Sequence, residues 1–251
     1  KYRINITIEQ KQDAEAFNID LPINIATEDG IESFVFNMFK KEQDFQIPLK
    51  SKPLKLVVDP QYDVFRILHP LEVPPTLSKI WGSSTSLIIL PKKASKVQAK
   101  VNEEFATKWK NTDKENFEII YDTELDKLPK DKTAWIIGFD NKFASELKTQ
   151  LIENNSSFSS DSVYFENEKL TKKGNSFVFT LSKTDNQDMQ NIFISIGDEK
   201  AIDGLLRKLP HYGKYSYLAF NGDEPTNNAK GQWPVLNSPL VKNYSKEASG
   251  I

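Results

Sequence analysis

Residues 86–109 read SLIILPKKASKVQAKVNEEFATKW. The first five residues form a short apolar run with the length and composition of a buried β-strand. An amphipathic helix from Ser95 to Trp109 follows, because its apolar residues recur every four positions and therefore share one face. Those residues are Val97, Val101, Phe105 and Trp109. A buried strand that leads into such a helix predicts an α/β fold.

The same alternation continues to residue 220. Further strands are predicted at 117–121, 134–139, 162–165, 176–181, 191–196 and 215–220, and helices at 142–152 and 201–209. The strands at 162–165 and 176–181 are expected to pair with each other around Lys173, Gly174 and Asn175. The pattern favours a three-layer α/β domain with a mixed sheet, spanning residues 86–251, with the polar C-terminal tail packed on it.

The N-terminal part of the chain has a different period. From Tyr2 to Ile8 and from Phe17 to Ile25, apolar and polar residues alternate, as in half-buried strands. An Asp29-Gly30 turn then leads into a strand at 31–38, and strands at 44–48 and 55–59 follow. Short strands with turns every eight to twelve residues predict an Ig-like β-sandwich over residues 1–70. The predicted class is therefore α+β multidomain.

Residues 71–85 are predicted to be an ordered, proline-rich connector. Proline removes a backbone donor and fixes φ, which disfavours both a central strand and a long helix. Aromatic, proline and charged residues interleave from Asp59 to Leu77, so we expect apolar side chains here to wedge between the two domains. Arg66 is expected to pair with Glu72 or Asp63.

The composition excludes several classes of protein. The 33 basic and 35 acidic residues are well mixed, which argues against a nucleic-acid partner. No apolar run approaches the roughly 20 residues of a membrane-spanning helix. The chain has no cysteine, which is compatible with export to the periplasm or cell envelope. Because the first residues already alternate like a strand, we also expect the chain to be a piece of a longer protein.

The sequence contains no recognisable catalytic or cofactor motif. The zinc-peptidase motif His-Glu-x-x-His and the serine-nucleophile motif Gly-x-Ser-x-Gly are both missing. Two turns between a strand and a helix, at 138–141 and 197–199, lack the glycine spacing of a phosphate site, and we interpret them as helix caps. The expectation is no catalytic residue, no metal site and no cofactor.

We predict that the purified chain binds no stoichiometric zinc. His69 and His211 are its only histidines, and neither has a second histidine or carboxylate at i+3 or i+4 on a predicted helix. Elemental analysis of the purified chain is the measurement. One tightly held zinc ion per chain would contradict the prediction.

A second cluster of residues suggests a ligand surface. Aromatic side chains with polar tips are typical of recognition sites, and they are concentrated between residues 211 and 233. The candidate ligand-binding residues are His211, Tyr212, Lys214, Tyr215, Tyr217 and Trp233. The hypothesis places them on one contiguous surface that binds a peptide or glycan. The alternative is that Tyr215 and Tyr217 belong to an edge strand and Trp233 packs the tail down.

Two segments resemble the part of bacterial aminopeptidase-like proteins that follows the catalytic domain in the membrane alanyl aminopeptidase (gluzincin) group. The first runs from Leu21 to Leu77 and contains the Asp29-Gly30 hairpin, PLKLVVDP (53–60) and DVFR (63–66). The second runs from LPHYGKYS (209–216) to SPL (238–240). The resemblance implies a non-catalytic C-terminal accessory region of an exported zinc aminopeptidase-like protein. Its partner would be an N-terminal catalytic domain of the same polypeptide, to which it gives support or presents substrate. That family's catalytic residues map onto no position of this sequence.

Two other functions remain open from the sequence alone. One is a stand-alone module that binds a peptide or glycan through the residues around Tyr215. The other is a hydrolase of unrecognised type in the α/β domain, which needs a base within hydrogen-bond reach of a nucleophile.

Overall fold

The structure is a computed structural model that describes residues 2–80, 85–112, 116–165, 168–183, 189–235 and 238–244. The protein is mostly β, with several sheets that include a mixed seven-stranded one. The chain divides into two compact units. The first contains the described residues 2–72 and 238–244, and the second contains the described residues of 73–235.

The first unit contains two antiparallel sheets that share one core. Its strands are β1 (Tyr2–Glu9), β2 (Ile19–Thr27), β3 (Gly30–Met38), β4 (Glu42–Leu49), β5 (Pro53–Val58) and β16 (Val241–Asn243). One sheet pairs β1 with β4, and the other has the order β16-β5-β2-β3. Ile4 and Ile47 of the small sheet join Ile23 and Leu56 of the larger sheet in one buried cluster. The predicted period of two is the cause, since alternate residues of a strand point to the same face.

The C-terminal segment corrects the predicted domain boundary. The tail was expected to pack on the second domain, yet β16 pairs antiparallel with β5 of the first unit. The Val58 N–H donates to Leu240 O over 2.8 Å, and the Tyr244 N–H donates to Leu54 O over 2.8 Å. The free edge of β5 explains this placement, because an unpaired strand edge gains hydrogen bonds from any added segment. The backbone of β5 therefore holds β16, whose own sequence has no strand pattern.

The predicted connector at 71–85 is also divided. Residues up to Glu72 belong to the first unit, and residues from Val73 onward belong to the second. Leu77 and Ile80 are buried in the core of the second unit, where the Leu77 N–H donates to Tyr215 O. Residues 81–84 of the predicted connector lie outside the described residues.

The second unit is built on the seven-stranded sheet. Its strands are β6 (Thr85–Leu90), β7 (Asn116–Tyr121), β8 (Thr133–Ile137), β12 (Asn175–Ser182), β13 (Gln190–Ser195), β14 (Tyr217–Asn221) and β15 (Thr226–Gly231). Their order in the sheet is β15-β14-β12-β13-β8-β6-β7. The pairs from β13 to β7 are parallel, and the pairs from β13 to β15 are antiparallel. The predicted mixed sheet is therefore confirmed.

Both faces of this sheet are buried. Ile88 and Leu90 face one cluster, together with residues of α1 (Lys96–Thr112) and α3 (Ile202–Lys208). Leu87 and Ile89 face the other cluster, together with residues of α2 (Ala144–Glu153). A strand covered on both faces is apolar throughout, which is the physical reason for the uninterrupted run at 87–90.

The predicted pairing of 162–165 with 176–181 is wrong. The strand β10 (Ser162–Phe165) lies between β9 (Ser156–Phe158) and β11 (Glu168–Thr171) in a separate three-stranded sheet. The strand β12 joins the main sheet instead, between β13 and β14. Its residues Phe177, Val178 and Phe179 are all buried, so β12 needs cover on both faces and suits a central position.

No helix in the described part of the chain is long and apolar enough to cross a membrane.

Candidate functional site

The parallel part of the seven-stranded sheet contains the place where such folds usually bind ligands. Two neighbouring strands, β6 and β8, lead into helices that lie on opposite faces of the sheet. In open α/β sheets, this divergence opens a crevice at the carboxyl ends of the strands. We call the loops at that end, residues 91–95, 122–126, 138–143 and 196–198, the strand-end loops.

Buried side chains of the chain itself connect the strand-end loops. The Asp122 carboxylate accepts hydrogen bonds from the Lys92 N–H over 3.0 Å and from the Lys142 N–H over 2.9 Å. The Asn141 amide donates to Ile89 O over 2.9 Å, at the end of β6. Asp122 and Asn141 are both 3% exposed. The carboxylate and the amide that a ligand would contact here are already bonded to the backbone.

A second set of contacts closes the crevice on the side of α1. The Gln98 side-chain amide donates to Ile196 O and to the Asn102 side-chain oxygen, each over 3.1 Å. Gly138 has a φ of +78°, and a Cβ added there would lie 3.2 Å from the Asn102 Nδ2 atom. Asn102 is 1% exposed, so α1 packs directly against the backbone at the end of β8.

The two turns that the sequence suggested as helix caps differ in the structure. The Asp198 carboxylate accepts a hydrogen bond from the Lys200 N–H over 2.9 Å and caps the helical segment that begins at Glu199. The Asn141 side-chain oxygen accepts a hydrogen bond from the Phe143 N–H just before α2. The interpretation as a cap is therefore confirmed for the turn at 197–199, whereas the N-cap residue of α2, Phe143, has no side-chain cap and Asn141 bonds one turn earlier.

Replacing Asp122 by alanine is expected to lower the free energy of unfolding by about 2 kcal/mol. The substitution leaves two backbone N–H groups, those of Lys92 and Lys142, without their acceptor. Chemical denaturation followed by tryptophan fluorescence measures the change, since every tryptophan of the chain lies outside residues 1–72. The exposed neighbour Asp126→Ala is the control. Equal stability of the two variants would contradict a stabilising role for the hydrogen bonds that Asp122 accepts.

The six predicted ligand-binding residues do not form one surface. Tyr212 and Tyr215 pack against the core cluster on the α1 face of the sheet. Tyr217 and Trp233 belong to the cluster on the α2 face, where their rings stack with centroids 4.8 Å apart. The chain bends at Ser216, whose N–H donates to Gly231 O, and this bend sends Tyr215 and Tyr217 to opposite faces. The hypothesis of one contiguous surface is therefore wrong.

Trp233 has a structural role in this arrangement. It is 4% exposed, its Nε1–H donates to Thr180 O over 2.8 Å, and its ring also stacks on Phe179. This is the alternative in which Trp233 packs the segment before the tail onto the sheet. Tyr217 is held in the same way, with its ring stacked 4.6 Å from that of Phe165.

Three of the four remaining candidates form a smaller group on the other face, whereas His211 is exposed in the short helical segment Leu209–Tyr212 and joins no ring contact among the described residues. The rings of Tyr212 and Tyr215 lie 5.7 Å apart, and Tyr212 also packs edge-on against the buried Phe220. The Lys214 ammonium lies 5.3 Å from the centre of the Tyr215 ring. Lys230, which the sequence analysis did not select, places its ammonium 5.5 Å from the same ring. We call Tyr212, Lys214, Tyr215 and Lys230 the lysine–tyrosine patch.

In the first unit, the most prominent polar group is a buried ion cluster around Arg66. Its guanidinium donates to both oxygens of Glu72 over 2.7 and 3.0 Å and to Asp59 over 2.8 Å. The predicted pairing of Arg66 with Glu72 is confirmed, and it is bidentate. The second carboxylate bonded to Arg66 is that of Asp59, not that of Asp63. Glu72 also accepts hydrogen bonds from the His69 N–H and the Ser238 hydroxyl. We call Asp59, Arg66, Glu72 and Ser238 the Arg66 cluster.

The Arg66 cluster presents its neighbours to solvent. Phe65 and Ile67 are 108% and 98% exposed, although Arg66 between them is anchored. Neither side chain belongs to the buried core of the first unit, and their expected position between two domains stays a prediction. Alternation along an extended segment explains the result, because fixing Arg66 inward turns both of its neighbours outward.

The stability of the first unit is expected to fall in acid through Glu72. Burial on its own would raise the pKa of Glu72, but hydrogen bonds from Arg66, the His69 N–H and Ser238 together lower that pKa below its ordinary value. A group whose pKa is lower in the folded state stabilises the fold above its unfolded pKa, about 4.3, and loses this contribution as the pH falls through the folded pKa.

The measurement is the free energy of unfolding of the wild type and of Glu72→Gln between pH 7 and pH 3. The wild type should lose more stability than the variant below about pH 4.5, because only the wild type protonates this group on unfolding. Parallel curves for the two proteins would contradict the assignment.

Among the described residues, no group of three or more histidine, aspartate or glutamate side chains is arranged to hold a metal ion. Comparison with protein-family models and with curated proteins gives no match to this chain.

Proposed function

We propose that the chain is a non-catalytic accessory region of a larger, exported zinc aminopeptidase-like protein, and that it supports or presents substrate to a catalytic domain of the same polypeptide. One observation carries the proposal for the second unit. At the carboxyl ends of β6 and β8, the side chains of Asp122 and Asn141 are buried and bonded to the chain's own backbone.

The chemistry of these bonds favours a structural module over a hydrolase. A general base must keep a lone pair directed at the proton it removes, within about 3 Å of a reacting group. Both Asp122 oxygens accept backbone N–H groups instead, and these two bonds join three of the strand-end loops. A polar side chain used in this way stabilises the loops, and the Asp122 carboxylate is directed at the backbone rather than at a substrate.

The proposal extends to the architecture of both units. We assign the first unit to an Ig-like β-sandwich, because its two sheets contribute side chains to a single core. We assign the second to a three-layer α/β fold, because α1 and α3 cover one face of the mixed sheet and α2 covers the other.

The loop that carries Phe65 and Ile67 is the surface we assign to the catalytic domain. Exposed apolar side chains are unfavourable unless a partner covers them, and a rigid presentation lowers the entropy lost on association. The Arg66 cluster supplies that rigidity through three hydrogen bonds to two buried carboxylates. A supporting module needs such a surface.

Two proteins test the catalytic assignment. The chain alone, supplied with zinc, should not hydrolyse alanine p-nitroanilide, whereas the longer polypeptide encoded by the same gene should do so. Reading the upstream coding sequence for a His-Glu-x-x-His motif is the first step. Hydrolysis by the chain alone, or an upstream region without that motif, would overturn the proposal.

The supporting role is tested by the double variant Phe65→Ser with Ile67→Ser. In the longer polypeptide, this change should lower the melting temperature of the catalytic domain, while the isolated chain should melt as the wild type does, because exposed side chains contribute little to its stability. Ile31→Ser with Val35→Ser, two exposed positions of β3, is the matched control. Equal effects of both double variants would remove the assignment of this loop.

A further inference from the structure

The two lysines of the lysine–tyrosine patch differ from three other surface lysines of the second unit, each of which is paired with a carboxylate. Lys100 pairs with Glu199, Lys108 pairs with Asp203, and Lys200 pairs with Asp223. Lys214 and Lys230 have no carboxylate within 4.0 Å among the described residues, and each ammonium lies over a tyrosine ring instead. An ammonium over an aromatic ring keeps its full charge and is open to an additional anion.

The sequence of the β14–β15 region places few carboxylates near the patch. Between residues 208 and 244, the only acidic residues are Asp223 and Glu224. Both occupy the turn of the β14–β15 hairpin, whereas Lys230 pairs with Leu218 near the opposite end. Asp223 is also paired with Lys200. Positive and negative charge are therefore separated along the β14–β15 hairpin, with Lys230 far from the two acidic residues of the turn.

The backbone around the patch is held in place. The Tyr215 N–H donates to Tyr212 O over 3.1 Å, and the Ser78 N–H donates to Gly213 O over 2.8 Å. The Gln232 side chain donates to Lys214 O over 2.7 Å. Tyr212 packs on the buried Phe220, so the rings have a rigid base. A rigid, cationic, aromatic surface loses little conformational entropy when it binds an anion.

The strand next to the patch selects the kind of ligand. In the described part of the chain, β15 pairs with β14 alone, so β15 is an edge strand of the main sheet. Backbone groups at such an edge can pair with an added peptide strand. A lysine on an edge strand is also a common protection against such pairing, and this explains Lys230 by itself. It does not explain Lys214, which lies outside the strand and over the same tyrosine ring.

We propose that the lysine–tyrosine patch and the adjoining edge of β15 bind an acidic peptide segment in an extended conformation. The carboxylates of the peptide would lie beside Lys214 and Lys230, and its backbone would pair with β15. This binding function is independent of the accessory role proposed above, and either one stands if the other fails.

The test uses a fluorescein-labelled decapeptide of alternating glutamate and threonine, with an alternating glutamine and threonine peptide as control. Fluorescence anisotropy with the full chain at low salt should show binding of the acidic peptide alone, and the binding should weaken as salt increases. N-methylation of alternate threonines should also weaken it, because the modified peptide loses backbone donors.

Variants assign the binding to the patch. The double variant Lys214→Gln with Lys230→Gln should weaken binding of the acidic peptide by about tenfold. Two charge contacts of this kind are together worth about 1.4 kcal/mol of binding free energy. Lys100→Gln with Lys108→Gln removes the same charge from lysines that already have partners, and should change the affinity less than twofold. Lys214→Arg with Lys230→Arg retains both cations and should retain binding, provided that thermal denaturation shows all variants to be folded.

Four results would overturn the proposal. They are the absence of binding at millimolar peptide, equal binding of the glutamine peptide, equal losses in the two glutamine double variants, and displacement of the peptide by polygalacturonate at a lower concentration than by unlabelled peptide. The last result would identify an acidic polysaccharide as the ligand in place of a peptide.

Discussion

Replacing Trp233 by alanine is expected to lower the free energy of unfolding of the second unit by about 3–5 kcal/mol, the usual range for deleting a buried tryptophan or phenylalanine. The indole is 4% exposed and stacks on Tyr217 and Phe179. Its Nε1–H also donates to Thr180 O, so the variant loses a hydrogen bond as well as ring contacts. Chemical denaturation followed by the fluorescence of Trp109 and Trp135, both buried in this unit, measures the loss.

Two further variants separate the causes. Trp233→Phe keeps an aromatic ring and removes the hydrogen bond, so its expected cost is about 1 kcal/mol from the bond, with a smaller packing loss added. Val235→Ala changes a neighbouring side chain that is 36% exposed, and should cost less than about 0.5 kcal/mol. If Trp233→Ala left stability unchanged and abolished binding of a peptide or glycan, Trp233 would be a recognition residue after all.

Replacing Arg66 by methionine is expected to lower the free energy of unfolding of the first unit by about 3–5 kcal/mol. Removing one member of a buried ion cluster leaves the others charged and without a partner, and this costs more than the cluster itself contributes. The Asp59 and Glu72 side chains are 0% and 4% exposed, so water cannot replace the guanidinium without opening the loop. The expected loss of stability therefore comes from two buried carboxylates that no longer have a cation as partner.

The matched control is Lys52→Met in the same unit. Lys52 pairs with Glu28 over 3.3 Å, with both side chains more than half exposed, and such surface pairs contribute at most about 1 kcal/mol. Since residues 1–72 contain no tryptophan, far-ultraviolet circular dichroism is the suitable probe. A second comparison is Arg66→Met in the Asp59→Asn, Glu72→Gln background, where most of the loss should disappear. Equal costs for Arg66→Met and Lys52→Met would show that the cluster is hydrated and weak.

The sequence is informative where one periodicity extends over a whole element. The run at 87–90 and the four-residue spacing of Val101, Phe105 and Trp109 predict β6 and α1, because burial on defined faces requires those patterns. The strands β9, β11 and β15 carry little such signal. They are short or polar, and pairing with neighbours stabilises them more than burial does.

Pairing partners are the second thing that local pattern cannot supply. The residues of β12 alternate no more clearly than those of β10, yet one strand is central in the main sheet and the other lies in a small separate sheet. The same limit applies to the candidate site. Tyr215 and Tyr217 are two residues apart and would share a face on a regular strand, but the bend at Ser216 separates them. Asp122 gave no signal at all, because a capping carboxylate after a strand resembles any surface acid in sequence.

The return of residues 238–244 to the first unit has a consequence for synthesis on the ribosome. Domains usually fold in the order in which they emerge, N-terminal first. Here β5 receives its neighbour β16, and Glu72 receives its bond from Ser238, only after the whole second unit has been translated. The second unit is continuous in the chain and can complete its hydrogen bonding earlier. The edge of β5 in the nascent first unit therefore stays unpaired until residues 238–244 have been synthesised. A stop codon before residue 238 would leave that edge unpaired permanently, and the truncated product would be prone to pair with other chains.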